Sequence, residues 1–152
     1  MKKILVPTDF SRYAHFATDV AISLAEKIKA EIHFIHLMDI PVDWIKLVDL
    51  AQKKMYPDIT AKVRSAHNKM QALVHRVERR GLKAKKLIQF NSDYRYLMEY
   101  TEAFHCDLMI MGSHGSSGIT RWFIGSTTQK VVRTSNVPVL VIRQSTPFSS
   151  IK

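Results

Sequence analysis

Five short runs that predict strands recur along the chain, and segments with a helical spacing of apolar residues separate them. The runs cover residues 3–7, 31–38, 83–90, 107–111 and 137–143. The first is a continuous apolar run, which is typical of a parallel strand buried on both faces, whereas residues 83–90 form a basic strand. The helical spacing covers residues 12–29, 59–80, 94–105 and 126–135. This alternation predicts an α/β fold with a parallel, doubly wound sheet and right-handed crossovers.

Two smaller features of the first half allow more local predictions. Residues 42–55 show a helical pattern that Pro57 interrupts, and the segment from Asp39 to this proline is a candidate flap over a ligand. The inward positions of that helix would be Trp44, Leu47, Val48, Leu50 and Ala51. In the second run, His33 and His36 stand three apart, so on a strand they face opposite sides and cannot share a metal. We expect both to be histidines of the sheet surface or rim.

A glycine-rich loop follows the fourth run. Gly112 and Gly115 begin it, and Gly118 continues the spacing of three. Glycine allows the backbone to approach a ligand closely. Farther on, Ser126 is a good helix N-cap, and Gln129 three residues later completes a capping box.

The residues at the start of that helix predict an anion site. Gly125, Ser126 and Thr127 should present unpaired N–H groups and hydroxyls at the positive end of the helix. In a doubly wound sheet, ligands bind at the carboxyl ends of strands where the strand order reverses. The turn Pro7-Thr8-Asp9 ends the first strand, so it should face the glycine loop if strands one and four are neighbours.

Length and composition bound the class of protein. The 152 residues predict one domain, 1–143, followed by a polar C-terminal tail, 144–152. The single cysteine, Cys106, rules out an intrachain disulfide and favours a reducing, cytoplasmic location. The apolar stretch near the N-terminus is too short for a signal or a membrane span, so we expect no membrane partner.

The loop resembles a known nucleotide-binding motif. Gly112-x2-Gly115-x9-Gly125-Ser126 is similar to the G-2x-G-9x-G-[ST] signature of the universal stress protein family. The resemblance covers nearly the whole chain, from the opening strand and its P-x-D-x-S turn at Pro7 to the closing Val-Pro-Val-Leu-Val at Val137. It implies a three-layer α/β/α sandwich with strand order 3-2-1-4-5, an adenine nucleotide alpha hydrolase-like or Rossmann-like fold. It also implies ATP or AMP at the switch point, in a stress-response protein.

The resemblance assigns roles to residues by position. The nucleoside would lie at Pro7, Thr8 and Asp9, and adenine would meet the backbone of Met38. The glycine loop, with Gly112, His114 and Gly115, would wrap the ribose and phosphates. The phosphates, with Mg²⁺ as their companion, would lie on Gly125, Ser126 and Thr127; Ser11 and Thr128 are further candidate contacts. The family also implies a homodimer through the fifth strand, which begins at Val137 and ends at Arg143.

The sequence departs from the family pattern at two places. Ser116 stands where a basic residue often follows the second glycine, and Arg121 in the nine-residue spacer is either the replacement charge or a surface arginine. The turn from Phe90 to Asp93 replaces a common Gly-x-Pro turn. This second departure concerns turn geometry more than the ligand.

The sequence lacks three common motifs of catalytic sites. It contains no G-x-x-x-x-G-K-[ST] loop, no G-x-S-x-G elbow and no zinc-ligand cluster. Cys106 adjoins Asp107, which should not lower its pKa, so a catalytic role is not expected. His114 could act as a base, but we favour a loop-stabilising hydrogen bond. The leading hypothesis is therefore nucleotide binding with little or no turnover, and a weak ATPase of the same fold is the alternative.

A third hypothesis rests on charge. The formal net charge is +10, and a basic cluster lies at Arg76, Arg79, Arg80, Lys83, Lys85 and Lys86. Such a surface attracts polyanions, although a charge run is more often a solvated helix end. The chain would then be a nucleotide-free module that acts on nucleic acid or on a protein partner.

Overall fold

A computed structural model describes residues 2–115 and 124–143. Ser116, Gly118, Arg121 and the predicted tail 144–152 lie outside the described residues. Five parallel strands form one sheet in the order β3-β2-β1-β4-β5. The strands are β1 Lys3–Pro7, β2 Glu31–Leu37, β3 Ala84–Gln89, β4 Leu108–Gly112 and β5 Val139–Ile142. The predicted fold class and strand order are confirmed.

Six helices connect the strands in the described residues. They are α1 Arg12–Ile28, α2 Val42–Lys46, α3 Leu50–Lys53, α4 Pro57–Glu78, α5 Arg95–Phe104 and α6 Ser126–Thr134. Ser11 caps α1, because its side chain accepts a hydrogen bond from the N–H of Ala14. Gly81, with φ of +70°, follows the end of α4 and takes the conformation that a helix stop requires.

Alternate residues of the inner strands β2, β1 and β4 supply a core on each face of the sheet. On one face, Ile4, Ile32 and Phe34 pack against the apolar sides of α1 and α4. On the other face, Leu5, Ile35 and Met109 pack against α5 and α6. Helices therefore cover both faces of the sheet, as its nearly continuous apolar strands require. None of the described helices is long and apolar enough to span a bilayer.

The segment between β2 and α4 differs from the prediction of one helix. It forms the two short helices α2 and α3, and only Trp44 among the five predicted inward residues is buried. Val48 is 94% exposed and Leu50 75% exposed. Pro57 begins α4 rather than interrupting a helix, because the first helical position needs no N–H donor.

The histidines of β2 lie on opposite faces, and one of them is more deeply placed than predicted. His33 is fully buried. Its Nε2 lies 3.0 Å from a carboxylate oxygen of Glu31, and its Nδ1 lies 3.0 Å from the hydroxyl of Tyr100. A neutral ring satisfies both contacts, with Nε2 donating to the carboxylate and Nδ1 accepting from the hydroxyl. His33 is thus a core residue, whereas His36 is half-buried near the end of the strand.

Candidate functional site

A cavity of about 280 Å³ opens at the carboxyl ends of β1 and β4, where the strand order reverses. Nine of the ten site residues that the sequence predicts line this cavity. They are Pro7, Thr8, Asp9, Gly112, His114, Gly115, Gly125, Ser126 and Thr127. The exception is Met38. The β1–α1 turn, the glycine loop and the start of α6 therefore meet at one place, although they are distant in sequence.

Three hydrogen bonds hold the β1–α1 turn in place. The N–H of Thr8 donates to the carbonyl of Ile35 at 2.9 Å, and its hydroxyl accepts from the N–H of Phe10 at 3.1 Å. Phe10 has a positive φ of 63°, an uncommon conformation for a bulky residue, which these bonds support. A carboxylate oxygen of Asp9 accepts from the N–H of Ser11 at 3.0 Å. Asp9 is thus an exposed carboxylate on a fixed turn.

His36 adds a further support to this turn. Its Nδ1 donates to the carbonyl oxygen of Thr8 at 2.7 Å, and its ring packs against Phe10 at 4.5 Å. Burial lowers the pKa of His36, although the bond to Thr8 and the nearby charge of Asp9 work in the opposite direction. The ring is therefore neutral at pH 7 and carries its proton on Nδ1.

The two loop glycines are required for different reasons. A Cβ on Gly112 would lie 2.8 Å from backbone and side-chain carbons of Tyr13, so α1 leaves no room for a side chain there. A Cβ on Gly115 would lie 2.9 Å from a carboxylate oxygen of Asp9. Gly112 therefore permits helix packing, and Gly115 keeps the passage between the loop and Asp9 open.

The predicted capping box at α6 is wrong. The N-cap is Gly125, with φ −58° and ψ 149°, and no side chain caps the helix. The N–H of Gly125 donates to the carbonyl of Ser113 at 2.8 Å, which fixes Gly125 in the extended conformation of a cap. Ser126 is consequently the first helical residue, and it is exposed.

This arrangement leaves donors at the cavity. The first intrahelical bond of α6 runs from the N–H of Gln129 to the carbonyl of Gly125. The N–H groups of Ser126, Thr127 and Thr128 precede it and have no acceptor within the helix. The hydroxyl of Thr128 donates to the carbonyl of Gly112 at 3.0 Å and ties the helix to the glycine loop. The positive end of α6 thus faces a cavity with oriented donors.

His114 stabilises the loop from inside, as the sequence led us to favour. Its Nδ1 lies 2.8 Å from the hydroxyl oxygen of Ser113, and its ring centroid lies 4.9 Å from that of Tyr13. The side chain is buried, and its Nε2 has no hydrogen-bond partner among the described residues. Because solvent does not reach this nitrogen, His114 is poorly placed to activate a water molecule in the cavity.

The cavity has an apolar wall that the sequence motifs did not predict. This wall consists of Ala14, Ile35, Leu37, Leu97 and Met111. Ile35 and Leu37 alternate with His36 along β2, so they lie on the face that α5 covers. Met38 has the opposite orientation: it is buried against Trp44 and Ile40, and its N–H donates to the carbonyl of Gln89 at 2.8 Å. The alternation of residues along β2 could have shown that Leu37 and Met38 face opposite sides of the sheet.

Few of the described residues that line the cavity are ionisable. Asp9 is the one ionisable group besides His114 among the described lining residues, and they include no lysine or arginine. Across the described ranges, no group of three or more His, Cys, Asp and Glu side chains is arranged to hold a metal ion. Peptide N–H groups, hydroxyls and an apolar wall therefore make up most of this part of the site. Such a surface suits a ligand with a flat apolar part and an anionic part.

Comparison with known proteins identifies relatives of this architecture. A family model described as the universal stress protein family matches residues 1–143. The universal stress protein MJ0577 of Methanocaldococcus jannaschii is 29% identical over 157 residues, which cover 94% of this chain and 95% of the relative. The solved structure of MJ0577 has a TM-score of 0.74 and covers 94% of this chain and 96% of its own.

Other solved structures extend the likeness in fold. UspA from Lactobacillus plantarum has a TM-score of 0.77 at 24% identity, covering 93% of this chain and 97% of its own. Two further universal stress proteins were solved with nucleotides. One, from Archaeoglobus fulgidus, is a complex with dAMP (TM-score 0.66, 14% identity, 94% and 98% of the two chains). The other is a complex with cAMP (TM-score 0.65, 18% identity, 93% and 96%).

Proposed function

The chain belongs to the universal stress protein family, and from that premise we propose that it binds an adenine nucleotide, ATP or AMP, in the cavity between β1 and β4. The observation that carries the proposal is the meeting of the β1–α1 turn, the glycine loop and the start of α6 around one cavity. The relatives solved with dAMP and cAMP support the class of ligand.

The parts of the cavity match the parts of a nucleotide. The wall with Ile35, Leu37 and Met111 suits the flat face of the base, and Asp9 offers carboxylate oxygens to ribose hydroxyls. The N–H groups of Ser126 and Thr127 suit a phosphate at the positive end of α6. A contact between adenine and Met38 would fall to its carbonyl oxygen, because its N–H is already bonded to Gln89. Mg²⁺ would accompany the phosphates, since the described residues offer it no cage of their own.

The function would be regulatory, with little or no turnover, in the cytoplasmic response to stress. Hydrolysis needs a positioned water and a base. His114 is buried and engaged with Ser113, and Asp9, the other ionisable lining residue among those described, is assigned to the ribose hydroxyls. A weak ATPase activity is therefore an outcome that the binding test can reveal.

The assembly would be a homodimer formed by the edge of β5, built on a single domain that spans residues 1–143. In the described sheet, β5 pairs only with β4, and Leu140 on it is 36% exposed. An apolar edge strand invites pairing. The opposite edge, β3, carries exposed Lys85 and Lys86, which disfavour pairing with a second copy.

Calorimetric titration with AMP and with ATP plus Mg²⁺ tests the proposal, using Ser126→Pro as the main variant. Proline is favoured at the first helical position, and Gly125 already has the extended conformation that precedes a proline. The change removes one N–H from the cavity and leaves every intrahelical bond of α6. We expect roughly tenfold weaker binding with unchanged stability, since a bond to a charged group contributes about 1.5–3 kcal/mol.

Thr134→Ala is the matched control, because Thr134 is exposed at the far end of the same helix. It should bind as the wild type does. Wild-type protein that binds neither nucleotide would refute the proposal, as would a Ser126→Pro variant with wild-type affinity. Nucleotide release measured on the same samples decides the question of turnover: steady ADP formation that Ser126→Pro abolishes would establish the ATPase.

A further inference from the structure

The strand β3 is an edge of the described sheet, and half of its backbone groups bond to no other described strand. In the described sheet, it pairs only with β2. The carbonyls of Lys83 and Gln89 accept from the N–H groups of Ile32 and Met38, so the odd-numbered residues direct their backbone groups towards β2. The N–H and C=O groups of Ala84, Lys86 and Ile88 therefore point away from the sheet. Three donors and three acceptors in a row form a template for another strand.

A groove lies along this same edge. Its volume is about 390 Å³, and residues from both sides of the sheet line it. Val74 of α4 and Lys86 lie on one side, and Tyr100, Phe104 and Leu87 lie on the other. Phe104 is 40% exposed and Leu87 37% exposed. An added strand would fit this groove, because its side chains would alternate between the two faces of the sheet while its backbone follows the edge.

The charges around the edge indicate which chain would fit. Lys85 and Lys86 lie on β3 itself, and Arg79, Arg80 and Lys83 lead into it; all five are exposed. A second copy of β3 would bring like charges together, whereas an acidic segment would be attracted. The aromatic side of the groove favours apolar residues at alternate positions of that segment.

Nucleic acid fits this surface less well. Charge alone does not separate the two partners, because ion pairs with acidic side chains reduce the attraction of the basic cluster to either of them. These pairs are Arg76 with Asp19, Arg80 with Glu26 and Lys85 with Glu31. The open edge separates them, because it offers N–H and C=O groups in alternation, whereas a phosphate backbone provides acceptors. An extended peptide satisfies both kinds of group.

We propose that β3 binds an extended segment of a partner protein as a sixth strand, and that this segment alternates acidic and apolar residues. Lysines on the edge suppress pairing between copies of this chain and admit an acidic strand. The sheet then has two edges with different uses, since β5 has an apolar edge and β3 a basic one. The interaction is independent of the nucleotide cavity, which lies between β1 and β4.

The test uses a fluorescent peptide of about eight residues that alternates glutamate and valine, a pattern suited to strand addition. Binding is followed by anisotropy at low salt and located by amide chemical shifts. We expect the shifts to cluster at Ala84, Lys86 and Ile88. The same peptide with N-methyl groups on alternate residues keeps its charge and loses its edge hydrogen bonds, so it should bind at least about tenfold more weakly.

Two variants at Lys86 separate the contribution of backbone hydrogen bonds to peptide binding from the contribution of charge. Lys86→Pro removes an outward N–H and no bond to β2, and proline is tolerated on edge strands; it should weaken binding about tenfold. Lys86→Gln keeps the N–H and should weaken binding by about fivefold. Lys54→Gln, a change at an exposed lysine outside the edge, should have no effect. Peptide shifts on β5 or in the cavity, equal binding of the N-methylated peptide, or binding of oligonucleotide but not of peptide would each overturn the proposal.

Discussion

A Cβ placed on Gly112 would lie 2.8 Å from the carbonyl carbon of Tyr13 and 2.8 Å from its Cβ. Neither atom can move without moving α1, because both belong to or adjoin the backbone of that helix. Gly112 is therefore a packing residue as well as a member of the glycine loop. Gly115 differs, because among the described residues a Cβ there would meet a carboxylate oxygen of Asp9, at the end of a flexible side chain.

This difference predicts that the same substitution at the two glycines affects different properties, stability at Gly112 and nucleotide binding at Gly115. Gly112→Ala should lower the free energy of unfolding by about 1–3 kcal/mol, the usual cost of overpacking. Gly115→Ala should change stability by less than about 0.5 kcal/mol, but it should weaken nucleotide binding by narrowing the passage beside Asp9. Urea unfolding and calorimetric titration of both variants measure the two quantities. Equal stability of the two variants would contradict the packing role of Gly112.

The sequence was sufficient for the architecture because its signals are local and repeated. Five strand patterns separated by helical spacers allow few arrangements other than a covered parallel sheet. Nine of the ten proposed site residues meet at one cavity because they sit in loops at the carboxyl ends of strands, where the topology brings them together. The motif thus located the cavity without any knowledge of distances.

The errors arise where tertiary contacts choose between local alternatives. Gly125 and Ser126 are both acceptable N-caps, and the bond from Gly125 to Ser113 selects the glycine. Leu37 ends β2 and lines the cavity, whereas Met38 follows it and packs on the other side of the sheet. The backbone contact of Met38 with adenine stays a prediction. Residues 42–55 have a helical pattern, yet Trp44 is the one predicted inward residue there that is buried.

That last correction predicts unequal effects within the segment. Trp44 is 5% exposed and packs against Phe90 with ring centroids 6.1 Å apart, whereas Val48 is 94% exposed. Trp44→Ala should cost about 3–5 kcal/mol of unfolding free energy. Val48→Ser should change it by less than about 0.5 kcal/mol. Thermal and urea unfolding distinguish the two variants. A large loss of unfolding free energy from Val48→Ser would support a single helix with Val48 facing inward.

The buried cluster around His33 predicts how stability depends on pH. Burial lowers the pKa of His33 below its usual value near 6.5, and the bond to Glu31 offsets only part of this effect. The unfolded chain therefore binds a proton that the folded ring resists. Stability should be constant in this respect above pH 6.5 and should fall as the pH decreases below it, by at most about 1.4 kcal/mol per pH unit for one histidine.

His36 contributes with the same sign, because burial also lowers its pKa. Urea unfolding at pH 7.5 and pH 5.5 tests the prediction. His33→Gln should reduce the difference between the two pH values, and His15→Gln, at an exposed position, should preserve it. A difference that is identical in all three proteins would show that His33 is not the titrating group.

The single thiol should be unreactive in the folded protein. Cys106 is 5% exposed, and burial raises its pKa to about 11, with Asp107 acting in the same direction and Lys3 opposing it. Compared with an ordinary thiol of pKa near 9, its thiolate fraction at pH 8 is about 100-fold lower. Alkylation by iodoacetamide should therefore be slow until urea unfolds the chain. Fast labelling of native protein would mean that this side of the sheet opens readily.

The β5 edge supplies the last prediction, because its outward groups can be identified. The carbonyls of Pro138 and Ile142 accept from Met109 and Ser113 of the adjacent strand and its loop. The backbone groups of Val139 and Val141 therefore point away from the sheet. Val141→Pro removes an outward N–H and spares the bonds to β4, as proline can on an edge.

If the homodimer forms through β5, sedimentation velocity should show Val141→Pro as a monomer at concentrations where the wild type is a dimer. Lys86→Pro is the matched control, since it makes the same change on the opposite edge of the same sheet, and it should remain dimeric. A dimer that survives Val141→Pro and dissociates with Lys86→Pro would place self-association on β3. The lysines of β3 would then have to be neutralised by groups from the second copy.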